Sequence, residues 1–402
     1  MGKGKIFVYD DEPESATQYK NKLEHLGIVS KKFKVERITK EEFENPKKGI
    51  GILRDRREKL RSKKIRLEGS IFDEENAIFL IDYDLVGGAE QLGIRTGEDV
   101  AYFLRCFSKC GLIIGVSTLW DNVFDLSLKS ESEHYLDLRI GGAQVDNARL
   151  WGEGEEEFRP WSWPDLNRLS ETFEKRVRDV KSNFDKEIYD TLGFSTSIAK
   201  YLPPSVSEFL GGEPLKVTFR DFLTGSEKGL DGKDRDYVDN LPKNQQARLT
   251  AARLSRWLET VVLPDQDILV DAPHLVSRLP TLLKKTNPTV EDLNKTASFG
   301  DAEKLGLKHE DIEEFRFKKD YWLSRSAWFW SELSENIDWL KQKGGKRVLL
   351  NDNVFCEDTS RFHKRERCKE FEADISSPYR RRYVKKLGGD FRYENPGRLS
   401  SI

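Results

Sequence analysis

Residues 5–13 read KIFVYDDEP, and this stretch decides the fold that we expect for the first third of the chain. The β-rich run at 5–9 leads directly into the acidic pair Asp10 and Asp11. Apolar residues then recur at helical spacing over 16–26. A short strand, an acidic turn and an amphipathic helix in this order predict the first β–α step of an α/β sheet.

The alternation of strand and helix continues to about residue 140. Gly27 is expected to end the first helix as a C′ glycine. Continuous apolar runs such as AIFLI at 77–81 are typical of strands buried on both faces. The pattern predicts a flavodoxin-like, doubly wound parallel α/β sheet. The other predicted elements are strands at 33–36, 112–116 and 135–140 and a helix at 97–110.

Acidic residues follow two of these strands at the point where each strand ends. Asp10 and Asp11 follow the first strand, and Asp82 ends the third. Carboxyl ends of parallel strands meet at one edge of the sheet, which is where ligands of such sheets bind. Three carboxylates there repel one another unless a cation joins them, and oxygen ligands without His or Cys suit Mg²⁺. One carboxylate beside such a metal can attack a phosphoryl group, and a hydroxyl of Ser117 or Thr118 can then bond the phosphate.

These motifs resemble the receiver domain of response regulators. The resemblance covers about residues 4–145 and is carried by VYDDEP at 8–13, the strand ending in Asp82 and TGEDV at 96–100. It implies a cytoplasmic two-component phosphorelay protein, of prokaryotic origin, whose partner is a sensor kinase or another protein. The roles it implies are Mg²⁺ binding by Asp10, Asp11, Asp82 and the Asp84 carbonyl, phospho-acceptance by Asp82, and a switch hydroxyl at Ser117 or Thr118.

The chain departs from the receiver pattern at three places, one of which is VGG at 86–88, where a Pro is common. Receivers usually carry a Lys followed by Pro at the end of the fifth strand, whereas residues 138–142 read LRIGG, with Arg139 as the only cation. A guanidinium is not equivalent to an ammonium group. Residues 45–75 also form an insertion before the third strand. These departures motivate an alternative, a pseudo-receiver scaffold that is not phosphorylated and works in a multiprotein complex, for example in host defence.

The rest of the chain gives fewer functional signals. We expect a receiver-like domain at 1–150, a linker with a long amphipathic helix at 151–200, and a mostly α-helical output or interaction domain with a small β element at 201–402. Apolar residues at steps of three and four over 165–190 fit either a core helix or a helix that forms a homodimer. The residues after 150 resemble no family, so the output activity is left open.

Two basic segments suggest nucleic-acid binding as a further alternative. Residues 54–66 hold eight Lys or Arg but no interleaved aromatic residue for base stacking, which favours a solvated helix face or loop. Residues 361–386 carry a net charge of +6. There Arg380, Arg381 and Arg382 lie between two tyrosines, a combination that can grip phosphates and stack on bases.

Composition bounds the remaining possibilities. The chain has 402 residues and a formal net charge of −2, so no global field draws it onto nucleic acid or a membrane. It has no apolar run near the roughly 18 residues of a spanning helix and no secretory leader pattern. Four cysteines do not make a disulfide framework. Cys356, His363 and Cys368 match no usual zinc spacing, and buried thiols are the expectation.

Overall fold

The structure is a computed structural model of the chain. It describes residues 3–60, 63–75, 77–85, 94, 96–117, 135–152, 164–196, 198, 214–224, 240–299, 302–336, 338, 349–373 and 378–385. None of the helices in these ranges is both long and apolar enough to cross a membrane. The chain folds into two compact units, residues 1–151 with 169–254, and residues 152–168 with 255–402. The predicted domain boundaries at 150 and 200 stay predictions.

Five parallel strands form the central sheet of the first unit. They are β1 (Gly4–Tyr9), β2 (Phe33–Arg37), β3 (Ile78–Asp82), β4 (Leu112–Ser117) and β5 (Leu138–Gly141). Their order is β2-β1-β3-β4-β5, with every neighbouring pair parallel. This is the order of flavodoxin-like sheets. The predicted parallel α/β sheet is therefore confirmed.

Helices alternate with the strands of this sheet along the chain. Their apolar residues recur at helical spacing and so lie on one face of the helix. Thr96 begins the helix after β3 with a capping box, in which its hydroxyl accepts from the Asp99 N–H and the Asp99 carboxylate accepts from the Thr96 N–H. The helices up to residue 257 are α1 (Pro13–His25), α2 (Gly27–Lys32), α3 (Lys40–Glu44), α4 (Ile50–Leu60), α5 (Gly97–Phe107), α6 (Leu166–Ser182), α7 (Ile188–Leu192), α8 (Phe219–Thr224) and α9 (Lys243–Trp257).

Part of α9 packs against the C-terminal end of α5. The Gln245 side chain donates to the Arg105 carbonyl at 2.6 Å, and Arg248 donates to the Cys110 carbonyl at 3.1 Å. Leu249 joins the same buried apolar cluster as Phe107. The first unit thus extends well beyond the expected 150-residue sheet, because these later residues complete its core.

The second unit combines helices with two further sheets. A two-stranded sheet pairs β6 (Leu269–Asp271) with β7 (Ala327–Phe329). A four-stranded sheet has the order β10-β11-β8-β9 and contains β8 (Asn353–Cys356), β9 (Arg361–Lys364), β10 (Cys368–Glu372) and β11 (Arg381–Lys385). The helices are α10 (Leu263–Asp265), α11 (Ala272–Arg278), α12 (Val290–Thr296) and α13 (Trp330–Glu335).

Three local predictions differ from the structure. Gly27 directly follows Leu26, the C-cap of α1, but its φ is not positive, so it is not a left-handed cap, and it begins α2. The fifth strand begins at Leu138 and not at 135. The predicted helix at 165–190 ends at Ser182, and a separate short helix begins at Ile188.

Candidate metal and phospho-acceptor site

Three carboxylates meet at the carboxyl edge of the parallel sheet. Asp10 follows β1 directly and Asp82 is the last residue of β3, and these two strands are neighbours in register, with Tyr9 opposite Ile81. One carboxylate oxygen from each of Asp10, Asp11 and Asp82 lies within 4.8 Å of the others. The structure therefore brings together the three acidic side chains that the sequence predicted would converge.

The electrostatics of this acidic cluster favour a bound cation. The pKa of Asp82 is raised from 3.8 to about 8, mainly by burial and in addition by the charges of Asp10, Asp11 and Asp84. Burial likewise raises the pKa of Asp10 to about 6, with a smaller contribution from Asp11. Without a cation, the cluster holds protons that ordinary carboxylates release. Oxygen-only ligands at this mutual distance fit a hard divalent ion such as Mg²⁺.

Backbone N–H groups orient two of the three carboxylates. The Glu12 N–H donates to Asp10 Oδ1 at 2.8 Å, and the Asp84 N–H donates to Asp82 Oδ2 at 3.0 Å. Each bond spans two residues, as in an Asx turn, and so follows from the way the chain turns after its strand. These bonds also oppose the rise in the pKa of Asp10 and of Asp82.

The other predicted site residues take different positions around the cluster. Ser117 is the last residue of β4, one position beyond the partner of Asp82, and only 5% of it is exposed. The Asp84 side chain is exposed, and its backbone forms an isolated β-bridge with Thr96. Asp84 is linked to the acidic cluster through its backbone N–H, which donates to Asp82 Oδ2. Thr118 lies outside the described residues.

Arg139 differs in position from the Lys of the receiver pattern, which stands at the end of the fifth strand. It lies within β5, opposite Gly115, and its guanidinium carbon is 5.7 Å from the centroid of the Tyr83 ring. Tyr83 directly follows Asp82, so the ring on which Arg139 stacks belongs to the residue just after the predicted phospho-acceptor.

Tyr19 also lies at this site, although in the sequence it is one of several apolar residues at helical spacing over 16–26. It is buried, and burial raises its pKa to about 12, with the charges of Asp10 and Asp82 acting in the same direction. A Cβ atom on Gly142, just beyond β5, would lie 2.8 Å from the Tyr19 hydroxyl. From sequence, a tyrosine in an apolar stripe is interpreted as a core residue. Only its place in the fold shows that it lines the sheet edge that carries the acidic cluster.

Gly97 is a second such residue, because it lets α5 approach the end of β3. A Cβ atom at this position would lie 2.6 Å from the Asp82 carbonyl oxygen and 3.0 Å from the Tyr83 Cα. Both are backbone atoms and cannot rotate away. The Gly97 N–H also donates to the Tyr83 carbonyl at 2.8 Å. The start of α5 is thus held directly against the backbone of the predicted phospho-acceptor.

We expect Gly97→Ala to lower the free energy of unfolding by about 1–3 kcal/mol, the usual cost of overpacking. Alanine gains up to about 1 kcal/mol in helix propensity over glycine, and less at the first helical position, so the close contact decides the sign. Urea unfolding followed by circular dichroism measures the difference. A variant as stable as the wild type would contradict the close approach.

Several basic residues of the segments 54–66 and 361–386 have acidic partners within the protein. Arg56 of α4 is buried and pairs with Asp73 at 2.6 Å. Arg382 is buried and donates to Glu357 at 3.0 Å, so it would have to leave this partner before it met a phosphate. Arg380 and Arg381 are exposed, at 3.7 Å from Glu372 and 3.6 Å from Glu370. Nucleic-acid binding through these segments stays a prediction.

The predicted homodimer helix also has an internal role. Leu169, Phe173 and Val177 of its apolar stripe are buried within the single chain. That is the arrangement of a core helix, and a homodimer through residues 165–190 stays a prediction.

Comparison of the chain with protein-family models, with curated proteins and with solved structures gave no match. The chemistry of the acidic cluster itself therefore carries the functional conclusion. The fold and the site together define an α/β protein with three carboxylates at one edge of its parallel sheet. This is the edge at which such sheets bind small molecules and ions.

Proposed function

We propose that the first unit is a receiver-like signalling module that binds Mg²⁺ and accepts a phosphoryl group on Asp82. The convergence of Asp10, Asp11 and Asp82 within 4.8 Å is the observation that supports this proposal most directly. The regulated output belongs to the remainder of the chain. The proposed setting is the cytoplasm, with a sensor kinase or another protein as the partner.

In the proposed reaction, an Asp82 carboxylate oxygen attacks the phosphorus of the donor. A new O–P bond forms on Asp82 while the bond from phosphorus to the leaving oxygen of the donor breaks, and the donor departs as its free anion. Asp10 and Asp11 would hold the Mg²⁺, and the bound ion would offset charge on the phosphoryl oxygens. The Ser117 hydroxyl, at the end of the next strand, donates to a phosphoryl oxygen once the group is transferred.

Helix α5 is the element best placed to pass on such a change. Its first residue, Gly97, touches the backbone of Asp82 and Tyr83. At its other end, the Arg105 carbonyl accepts from Gln245 of α9 at 2.6 Å. A shift of the chain at Asp82 would therefore move a helix whose far end is bonded to a later part of the same unit. We therefore propose α5 as the two-state element that a phosphorylation switch requires.

Incubation with acetyl phosphate and Mg²⁺ tests the proposal. We expect the intact mass to rise by about 80 Da, the mass of one phosphoryl group. Asp82→Asn should abolish the gain, because the acceptor oxygen is replaced by an amide. Asp10→Asn and chelation of the metal should each reduce it strongly, because the charge on the phosphoryl oxygens is then no longer offset.

Asp84→Asn is the matched control, since its side chain is exposed and its proposed contribution is a backbone carbonyl. This variant should gain mass like the wild type. A gain that persists in Asp82→Asn, or a wild type that gains nothing while it binds Mg²⁺, would reject phospho-acceptance by Asp82.

One observation favours a second candidate, the pseudo-receiver scaffold. Arg139 stacks on Tyr83 from within β5, where the receiver pattern has a Lys at the strand end. A stacked guanidinium is held by the ring and is less able than a flexible ammonium group to follow an incoming phosphate. In this candidate the acidic cluster binds Mg²⁺ for stability, and the mass in the acetyl phosphate experiment stays unchanged.

A further inference from the structure

Two cysteine sulfurs meet inside the four-stranded sheet of the second unit. The Sγ atoms of Cys356 and Cys368 are 3.2 Å apart, and the Cys356 thiol donates to the Cys368 sulfur. Cys368 in turn donates to the Lys364 carbonyl at 3.2 Å. Val354 and Tyr383 pack around the pair and shield it from water.

The two residues belong to strands that are not neighbours. Cys356 ends β8, Cys368 begins β10, and β11 lies between these strands in the sheet. The chain between them contains β9 and the short turn Arg365–Arg367. Their contact therefore comes from the folding of the whole sheet and not from a local turn.

We propose that Cys356 and Cys368 form a reversible redox pair, in which a low-molecular-weight disulfide converts the two thiols to an intramolecular disulfide. A disulfide bond is about 2.05 Å long, so the sulfurs need to approach each other by about 1.2 Å. The pair joins β8, in the interior of the sheet, to β10, at its edge.

The chemistry proceeds by two thiol–disulfide exchanges. Cys368 reacts first, because it is 7% exposed and lies on an edge strand, whereas Cys356 is 0% exposed. Its thiolate attacks the small disulfide, forms a mixed disulfide and releases one small thiol. The Cys356 sulfur then attacks the Cys368 sulfur and releases the second small thiol. Two electrons pass from the protein to the small disulfide, and the two protein protons end on the two released thiols.

The reduced full chain, treated with oxidised glutathione, tests this pair. We expect the mass to fall by about 2 Da and the thiols titrated after denaturation to fall from four to two. Peptide mapping without reduction should link the peptides of Cys356 and Cys368, and dithiothreitol should restore the original mass. The bonded protein should also unfold at a higher urea concentration than the reduced protein, because the bond restrains the unfolded chain.

The chain contains its own matched control in the other two cysteines. Cys106 and Cys110 lie in the first unit, and a variant with both replaced by Ser should still lose about 2 Da. Cys356→Ala should not lose it, and Cys368→Ala should give the same result if the first variant folds poorly. Retention of four thiols, a lasting glutathione adduct without the internal bond, or a bond mapped to any other pair would each overturn the proposal.

Discussion

Asp82→Asn is expected to stabilise the metal-free protein at pH 8 by about 2 kcal/mol. The shift of the Asp82 pKa from 3.8 to about 8 corresponds to an upper bound of roughly 6 kcal/mol. Water that still reaches this half-buried carboxylate screens part of that penalty, so we expect about a third of it. The amide removes a negative charge that burial, Asp10 and Asp11 all disfavour.

The sign of the pH dependence follows from proton linkage. The pKa of Asp82 is higher in the folded protein than in the unfolded chain, so the folded protein binds more protons between about pH 4 and 8. The stability of the metal-free wild type therefore falls as pH rises through this window. The stability of Asp82→Asn should fall less, so the two should nearly coincide at pH 4 and diverge toward pH 8.

Urea unfolding in the presence of a chelator, at several pH values, measures this divergence. Glu58→Gln on α4 is the control and should follow the wild type, because this side chain is exposed and its charge is not one of those that act on Asp82. Added Mg²⁺ should raise the stability of the wild type at pH 8, and that of Asp82→Asn much less. Parallel pH profiles for wild type and Asp82→Asn would show that the carboxylates are not coupled as the geometry indicates.

Arg382→Met is expected to lower the free energy of unfolding of the second unit by about 3–5 kcal/mol, the range for removal of one partner from a buried ion pair. Arg382 of β11 is buried and donates to Glu357 at 3.0 Å and to the Pro264 carbonyl at 3.2 Å. Glu357 also contacts His274 Nε2 at 3.0 Å. Without the guanidinium, the buried Glu357 carboxylate loses its arginine partner and the Pro264 carbonyl loses this donor.

The neighbouring Arg381 provides the matched control. Its side chain is 76% exposed and its nearest acidic partner, Glu370, is 3.6 Å away. Arg381→Met should therefore change the stability by less than about 0.5 kcal/mol. Tryptophan fluorescence during urea unfolding suits the measurement, because Trp322, Trp328 and Trp330 are buried in the second unit. Equal effects of the two substitutions would contradict the buried pair.

A double variant separates the charge pair from simple loss of packing. Glu357→Gln combined with Arg382→Met removes both charges, so it should recover part of the loss caused by Arg382→Met alone. Additive effects would mean that Arg382 acts through its other contacts.

Local patterns predicted the sheet of the first unit well. The apolar runs of β3 and β4 and the acidic turns after β1 and β3 are short-range features, and they correctly placed Asp10, Asp11 and Asp82 at one edge. The first helix does end just before Gly27, as predicted, but Gly27 begins a new helix and is not a left-handed cap; these two roles of a glycine look alike in sequence. The prediction missed Tyr19, since an apolar stripe does not reveal which of its members lies at the acidic edge.

The sequence alone determined the succession of strands and helices along the first 141 residues and the acidic residues at the ends of β1 and β3, because alternation and periodicity act over a few neighbouring residues. The tertiary structure alone decided contacts between distant segments: Gly97 against the Asp82 backbone, Gln245 on the end of α5, Arg382 beside Glu357 and Cys356 beside Cys368. The physical reason is that burial and charge pairing depend on which segments the whole core brings together. The spacing of residues along the sequence does not indicate which distant residue will pack against a given side chain.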